Sequence, residues 1–267
     1  MPSQLCREFS RIIGGRPGVV NGVCVATAER DLSIRILGRK TDSALALYAF
    51  FSFEALDAQG RALNLGETVV LEREANPFIS ALRRRGLKVT ALHNHWLFDS
   101  PRTLFVHFEA IKKPLQFARD VRAAFRVIGG LTPAEAPEAA TGQCLRFARI
   151  LGGMGMKEGE VCRVMRNRNL VVRILGRRSR SPLVLAPMFS FESKDAQGRT
   201  LNLGESPLLE SEVNTVISRL RRRGLKVTSE HNHWLFERPR IMFVHFESVE
   251  NPIRFARKAA ASLRGIN

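Results

Sequence analysis

Apolar residues at Leu5, Phe9, Ile12 and Ile13 recur at helical spacing, and the run stops at Gly14-Gly15, which predicts a helix over 5–13. Three extended segments are predicted next: 19–26, rich in β-branched residues; 32–37, alternating apolar and polar; and 44–53, strongly apolar. A tight turn at Asp57-Ala58-Gln59-Gly60 leads to a further strand at 68–71. The stretch 73–85 predicts a helix, with Gly86 at the position where a left-handed backbone ends helices. A strand at 87–96, a loop at 98–102, a strand at 103–109 and a helix over 114–127, opened by a proline at a tolerated first-turn position, complete the pattern.

The whole pattern then recurs at a constant offset of 138 positions (231 − 93), so the chain is an internal duplication. Cys6 and Cys24 return as Cys144 and Cys162, Gly14-Gly15 as Gly152-Gly153, and the segment 82–90 as 220–228. The 73–85 helix is clearer in the second copy, where Val213, Val216, Ile217 and Leu220 form a stripe at i, i+3, i+4 and i+7. The repeats are assigned to 1–130 and 143–267, with 131–142 as a linker inside an Ala-, Gly-, Pro- and Thr-rich stretch. Each is about the size of an independent domain, so two domains or one pseudo-symmetric body follow. The expected class is α+β, a mixed α/β protein whose repeats each have an antiparallel or mixed sheet, packed helices and a histidine-bearing β-hairpin.

With 45% hydrophobic residues the chain can bury a real core. No run approaches the ~20 apolar residues needed to span a bilayer, and the start lacks the features of a signal peptide. The expectation is a cytoplasmic protein without a membrane partner, its four cysteines reduced and packed as small hydrophobes.

All six histidines belong to two equivalent triads, His93/His95/His107 and His231/His233/His245. Imidazole is the commonest protein metal ligand and titrates near neutrality, so a residue type reserved for these positions points to metal binding or proton transfer. Strand alternation puts Leu87, Val89, Ala91, His93 and His95 on one face. A hairpin centred on Ser100 then sets His93 opposite His107 and His95 opposite Phe105, with directly opposed Cβ atoms ~4.5–5.5 Å apart. Glu109 and Glu247 are candidate fourth ligands. Three histidines with a carboxylate suit Zn(II), Mn(II) or Fe(II), and three histidines with water form an open arrangement able to support hydrolytic or oxygen-handling chemistry. One site per repeat is therefore expected. The contiguous His-Asn-His is unlike the ββα nucleases, whose three residues are spread along a motif.

The segment LRRRGLKVTALHNHWLFDSPRTLFVHF at 82–108, its copy at 220–246 and the preceding Glu212-Val213-Asn214 resemble the LppY/LpqO family, a bacterial domain of unknown function, in two tandem copies. The resemblance lies in an E-x-N helix start, a G-[IL]-x-V-T strand, HNH-x-L-x-x-x-PR and a final histidine. It implies no activity. What it implies is that Glu74, Asn76, Asn94, Pro101 and Arg102, with Glu212, Asn214, Asn232, Pro239 and Arg240, occupy motif positions beside the histidines. Asn76, Asn94, Arg102, Asn214, Asn232 and Arg240 are accordingly candidate ligand-binding residues, the arginines for a small anionic molecule. Glu74 and Glu212 suit a first helical turn, where the helix dipole favours a carboxylate.

A formal charge of +17 attracts polyanions, which makes nucleic acid the competing partner, with the histidines then structural. Arg83-Arg84-Arg85 and Arg221-Arg222-Arg223 carry part of that charge, but it is dispersed, and no nucleic-acid-binding motif accompanies it. A homo-oligomer is compatible with everything above.

Overall fold

Asn21 and Gly22 both have positive φ (54° and 77°), the geometry a two-residue hairpin turn demands. The expected single strand at 19–26 is therefore a hairpin, Arg16–Val20 with Val23–Glu29. The apolar 44–53 segment likewise divides. Ser43 Oγ accepts the Leu45 N–H and caps a short helix, Ala44–Leu47, before the strand Tyr48–Glu54 begins. The rest follows the predicted order: helix Gln4–Ile13, strand Ala62–Leu71, helix Glu72–Arg83, strands Lys88–His93 and Thr103–Lys112, and helix Pro114–Phe125.

In this computed structural model, which describes residues 1–266, each repeat builds one seven-stranded antiparallel sheet and a small three-stranded one. In the first the order is Arg16–Val20, Val23–Glu29, Tyr48–Glu54, Ala62–Leu71, Thr103–Lys112, Lys88–His93, and the second repeats it. The stretch read as a linker adds Thr132–Pro133 beside Val23–Glu29 and Glu138–Ala139 beside Met154–Glu158. Alternation sends Phe51, Val106 and Phe108 outward, onto Phe9, Phe78, Phe117 and Val121 of the helices. The intervening residues Phe50, Leu63, Leu65 and Phe105 point inward, and they share one core with Met188, Leu201, Leu203 and Phe243 of the second repeat. The layers are helices, sheet, sheet, helices, so of the two arrangements open from sequence, the molecule is one pseudo-symmetric body. An α+β protein of two tandem repeats was expected and is what folds.

The contacts between repeats come in reciprocal pairs, as an isologous interface requires. Ser52 Oγ meets Ser181 Oγ and Ser43 Oγ meets Ser190 Oγ, both at 2.8 Å. Arg177 reaches Asp57 at 2.7 Å and Arg39 reaches Asp195 at 2.6 Å.

The cysteines are not free thiols. The first helix lies on the hairpin of its own sheet, which brings Cys6 to Cys24 and Cys144 to Cys162 with Cα separations of 5.6 and 5.5 Å, and both pairs are disulfides. Periodicity reveals that both residues of a pair are apolar-facing, not that the helix crosses its hairpin at that point.

Candidate metal centre

The histidine strand enters the site through a bulge. In Lys88–His93 the register to Thr103–Lys112 shifts between Val89 and Ala91, so Val89 pairs with Phe108 while Ala91 pairs with His107 and His93 with Phe105. An extra residue reverses the alternation of faces. Leu87 and Val89 therefore turn to the helix side, whereas Ala91 and His93 join His107 between the sheets. The expected pairing of His93 with His107 is displaced for the same reason, and His95 lies beyond the end of the strand.

Convergence survives that shift. His93 Nε2 is 3.1 Å from His107 Nε2 and 3.3 Å from His95 Nε2. The second triad is equally close, with His231 ring centroids 5.1 and 4.9 Å from those of His233 and His245. Both triads face the same inter-sheet layer, so they form one cluster where two separate sites were expected. His93 stacks on its own counterpart His231 at 3.4 Å, His95 on His245 at 3.8 Å and His107 on His233 at 3.8 Å. Phe105 and Phe243 cover the outer faces of His95 and His233, each at 3.5 Å. The buried Trp96 and Trp234 stand edge-on to His245 and His107 of the opposite repeat, at 5.5 and 5.7 Å.

Hydroxyls hold the two hairpins against each other. Thr90 Oγ1 donates to the His233 carbonyl and Thr228 Oγ1 to the His95 carbonyl, both at 2.6 Å. Ser229 Oγ donates to the Asn94 carbonyl at 2.7 Å, and Asn232 Nδ2 to the Thr90 and Trp234 carbonyls at 3.5 and 3.4 Å. Asn232 thus serves the backbone of the site with its side chain, whereas Asn94 does so only through its carbonyl.

Two carboxylates absent from the sequence-derived set complete it. Glu67 is paired in register with His107, and Glu205 with His245. Glu67 Oε2 is 3.4 Å from His107 Nδ1 and 3.9 Å from His233 Nδ1, and Glu205 Oε2 is 3.7 Å from His245 Nδ1. The signal was present: Glu67 alternates with Leu63, Leu65 and Val69, so it shares an apolar face, and the second copy repeats it. Three groups result whose ligand atoms lie within 4.8 Å of one another: His93/His95/His231/His233, Glu67/His107/His233 and His95/Glu205/His245. Each could hold a metal ion.

Burial, then the neighbouring rings, drives the histidines toward the neutral form. The pKa of His93 is shifted well below the ordinary imidazole range by loss of water and by His231, His107 and His245, and that of His231 is lowered to about 3 by burial. Burial pushes Glu67 upward, and Glu205 further through repulsion by Glu67. Buried nitrogens of His95, His107, His231, His233 and His245 have no well-formed hydrogen bond. Neutral imidazole is the metal-ligating form, and a cation among these groups would reverse the upward carboxyl shifts.

The remaining candidates lie elsewhere. Glu109 and Glu247 are buried and fall outside all three groups. Glu109 lies opposite Lys88 in register, and burial raises both carboxyls to about 7 against the pull of Lys88 and Lys226. Each of those lysines sits over an aromatic ring of the other repeat, Phe236 at 4.7 Å and Phe98 at 4.4 Å. Asn76 and Asn214 are exposed on the outer helices. Arg102 and Arg240 are surface residues 3.9 and 3.6 Å from Glu72 and Glu210. Arg240, with Glu237 and Lys88, also borders a surface groove of about 930 Å³. Glu74 and Glu212 bond bidentately to the buried Arg30 and Arg168 and accept the N–H of Leu71 and Leu209, a structural assignment.

Fold and site together define a class: a duplicated, four-layer α+β protein with a histidine–glutamate cluster buried at the junction of its repeats. The family described as Domain of Unknown Function (DUF1259), model DUF1529, matches residues 7–127 and 145–264, and the chain belongs to it, in two tandem copies. No curated protein and no solved structure matches the chain. No helix among the described residues is long and apolar enough to cross a membrane.

Proposed function

We propose that this protein binds divalent metal at a single centre shared by its repeats. His93, His95, His231 and His233 are the central ligands, and Glu67/His107 and Glu205/His245 the flanking ones. The observation that carries the reading is the meeting of six largely desolvated, neutral-favoured imidazoles and two carboxylates in one layer. A set of nitrogen and oxygen donors without thiolate suits zinc, manganese or ferrous iron. A metal here with one position left to water or a small anion would supply Lewis-acid chemistry, so a hydrolytic or oxygen-handling reaction is the catalytic form of this proposal.

The paired cysteines fit an oxidising compartment better than the cytoplasm. The HNH-x-L-x-x-x-PR segments favour the narrower LppY/LpqO kinship. Basic character is split, since Arg83 and Arg221 end helices in the two opposite outer layers and do not line one groove.

Elemental analysis tests the reading. Protein purified without chelator is expected to carry stoichiometric metal, and His93→Ala with His231→Ala to carry none. A metal-free wild type that also takes up no zinc, manganese or ferrous iron on titration overturns it.

A further inference from the structure

Beside the histidine cluster, between the same two sheets, lies a cavity of about 200 Å³. Its walls include Thr27 with its counterpart Met165 and Phe50 with its counterpart Met188, so it straddles the pseudo-twofold relation between repeats, as the His93/His231 pair does. Val19 and Met154 at its rim are 46% and 59% exposed, while Glu67 on its wall is 8% exposed. It therefore runs from solvent to a ligand residue of the proposed centre.

The lining is unusual within this chain. Four of the six methionines, Met154, Met156, Met165 and Met188, are gathered here, all from the second repeat. Unbranched thioethers make an adaptable apolar surface, a common choice for binding small organic molecules. The polar lining is mainly basic. Arg163 is already held by Glu158, at 2.6 and 3.1 Å, whereas among the described residues Arg16 makes one side-chain bond, from Nε to the Ala134 carbonyl at 3.2 Å. Arg16 is in electrostatic reach of both Glu158 and Arg163. Glu29 and Glu135 are near Glu158 but do not line the cavity.

We propose that this cavity is a ligand site for a small organic anion, an apolar body of a few carbons bearing one carboxylate, with the body against the methionines and the charge toward Arg16, beside Glu67. Binding in the cavity goes beyond the metal-binding reading; presentation of the ligand to a metal rests on it. The duplication supplies the argument for an organic molecule with two unlike ends. Where the first repeat has Arg16 and Gly18 the second has Met154 and Met156, so the two halves of the cavity differ although the histidines and glutamates behind it are the same in both copies.

Hexanoate, hexanol and hexylamine serve as probes, titrated calorimetrically into the full chain as purified and after chelator treatment, with metal content measured on the same samples. Wild type is expected to bind hexanoate at least tenfold more tightly than hexanol and to ignore hexylamine. Gly18→Met introduces the residue of the second repeat, and a Cβ there meets only the Val25 carbonyl oxygen, at 3.7 Å. It should fill the cavity and weaken hexanoate at least tenfold with metal content unchanged. Arg16→Met should abolish the preference for hexanoate over hexanol while leaving hexanol bound. Wild type that does not bind hexanoate, or binding untouched by both variants, overturns the proposal. Hexanoate bound to a protein that is metal-free as purified and takes up no zinc, manganese or ferrous iron on titration upholds the cavity and sinks the metal reading; metal without hexanoate binding does the reverse.

Discussion

At the histidine end of the inter-sheet layer each residue is answered by its double: His93 lies on His231, and Glu67 matches Glu205. A few strands away, in the same layer, Arg16 stands where the second repeat has Met154, and Val25 where it has Arg163. A small cation coordinated from both sides is served by identical copies, because equivalent donors reach it from each. A molecule with a head and a tail is served by copies that differ. The comparison separates what the duplication supplies, a centre neither repeat completes alone, from what divergence adds, a direction of approach.

The sharpest way to break this picture is to ask whether the centre is one or two. With independent triads, His93→Ala would remove half of the bound metal and leave the second repeat loaded. In the shared centre His93 and His231 belong to one four-histidine group, so either single alanine variant should remove well over half, and the double variant little more than a single one. Mass-spectrometric metal content decides it, and a clean half-loss from each single variant would sink the shared centre.

The symmetry of the scaffold can be tested without metal. Gly66 and Gly204 lie under phenylalanine rings, and a Cβ at either would fall 2.5 Å from a ring atom, of Phe108 or of Phe246. Neither glycine has positive φ, so the cost of alanine is steric. Each substitution should destabilise the fold by about 1–3 kcal/mol in denaturant unfolding. Unequal costs beyond that range would show that the two sheets are not equivalently packed.

Much of this was legible in the residues. The duplication, the order of the long helices and of the histidine-bearing strands, and the nearness of the histidines within each triad follow from periodicity and spacing, which are local. What stayed hidden depended on contacts local pattern does not encode. The bulge near Thr90 inverts the faces of Leu87 and Val89. The disulfides require the packing of Gln4–Ile13 on its hairpin. Fusion of two triads into one cluster depends on which sheet faces meet, and a sheet with two apolar faces, as the 48–54 strand shows, does not say which face meets helices and which its twin. Glu67 and Glu205 alternate with leucines on strands that carry no histidine, whereas Glu109 lies two residues from His107 on the same strand, and strand alternation alone points to the nearer carboxylate.

A smaller effect concerns Glu237, whose counterpart in the first repeat is Asp99. Burial raises the Glu237 carboxyl to about 8; Glu109 and Glu210 push the same way, while the Ile241 N–H and Arg240 oppose. A raised folded-state pKa means the folded chain holds a proton that the unfolded chain releases near its ordinary value of 4.5. The stability linked to this group is fully present below that value and is lost as pH rises through about 8. Chelator-treated protein should therefore melt at lower temperature as pH goes from 6 to 9, and Glu237→Gln should flatten that decline. A decline of equal steepness in the variant would show that the proton is held elsewhere.

The smallest expected effect is at the hairpin tips, where sequence pointed to anion-binding arginines. Arg102 is 3.9 Å from Glu72 with both side chains more than half exposed, and Arg240 is 3.6 Å from Glu210 in a similar setting. Water and long side chains leave such pairs worth at most about 0.5 kcal/mol. Arg102→Ala and Arg240→Ala should each leave the unfolding midpoint within that margin and the metal content unchanged. Neither arginine contributes to the ligand groups, so the centre should not register their loss, and metal lost from either variant would mean that the hairpin tip, not only its histidine-bearing base, is part of the centre.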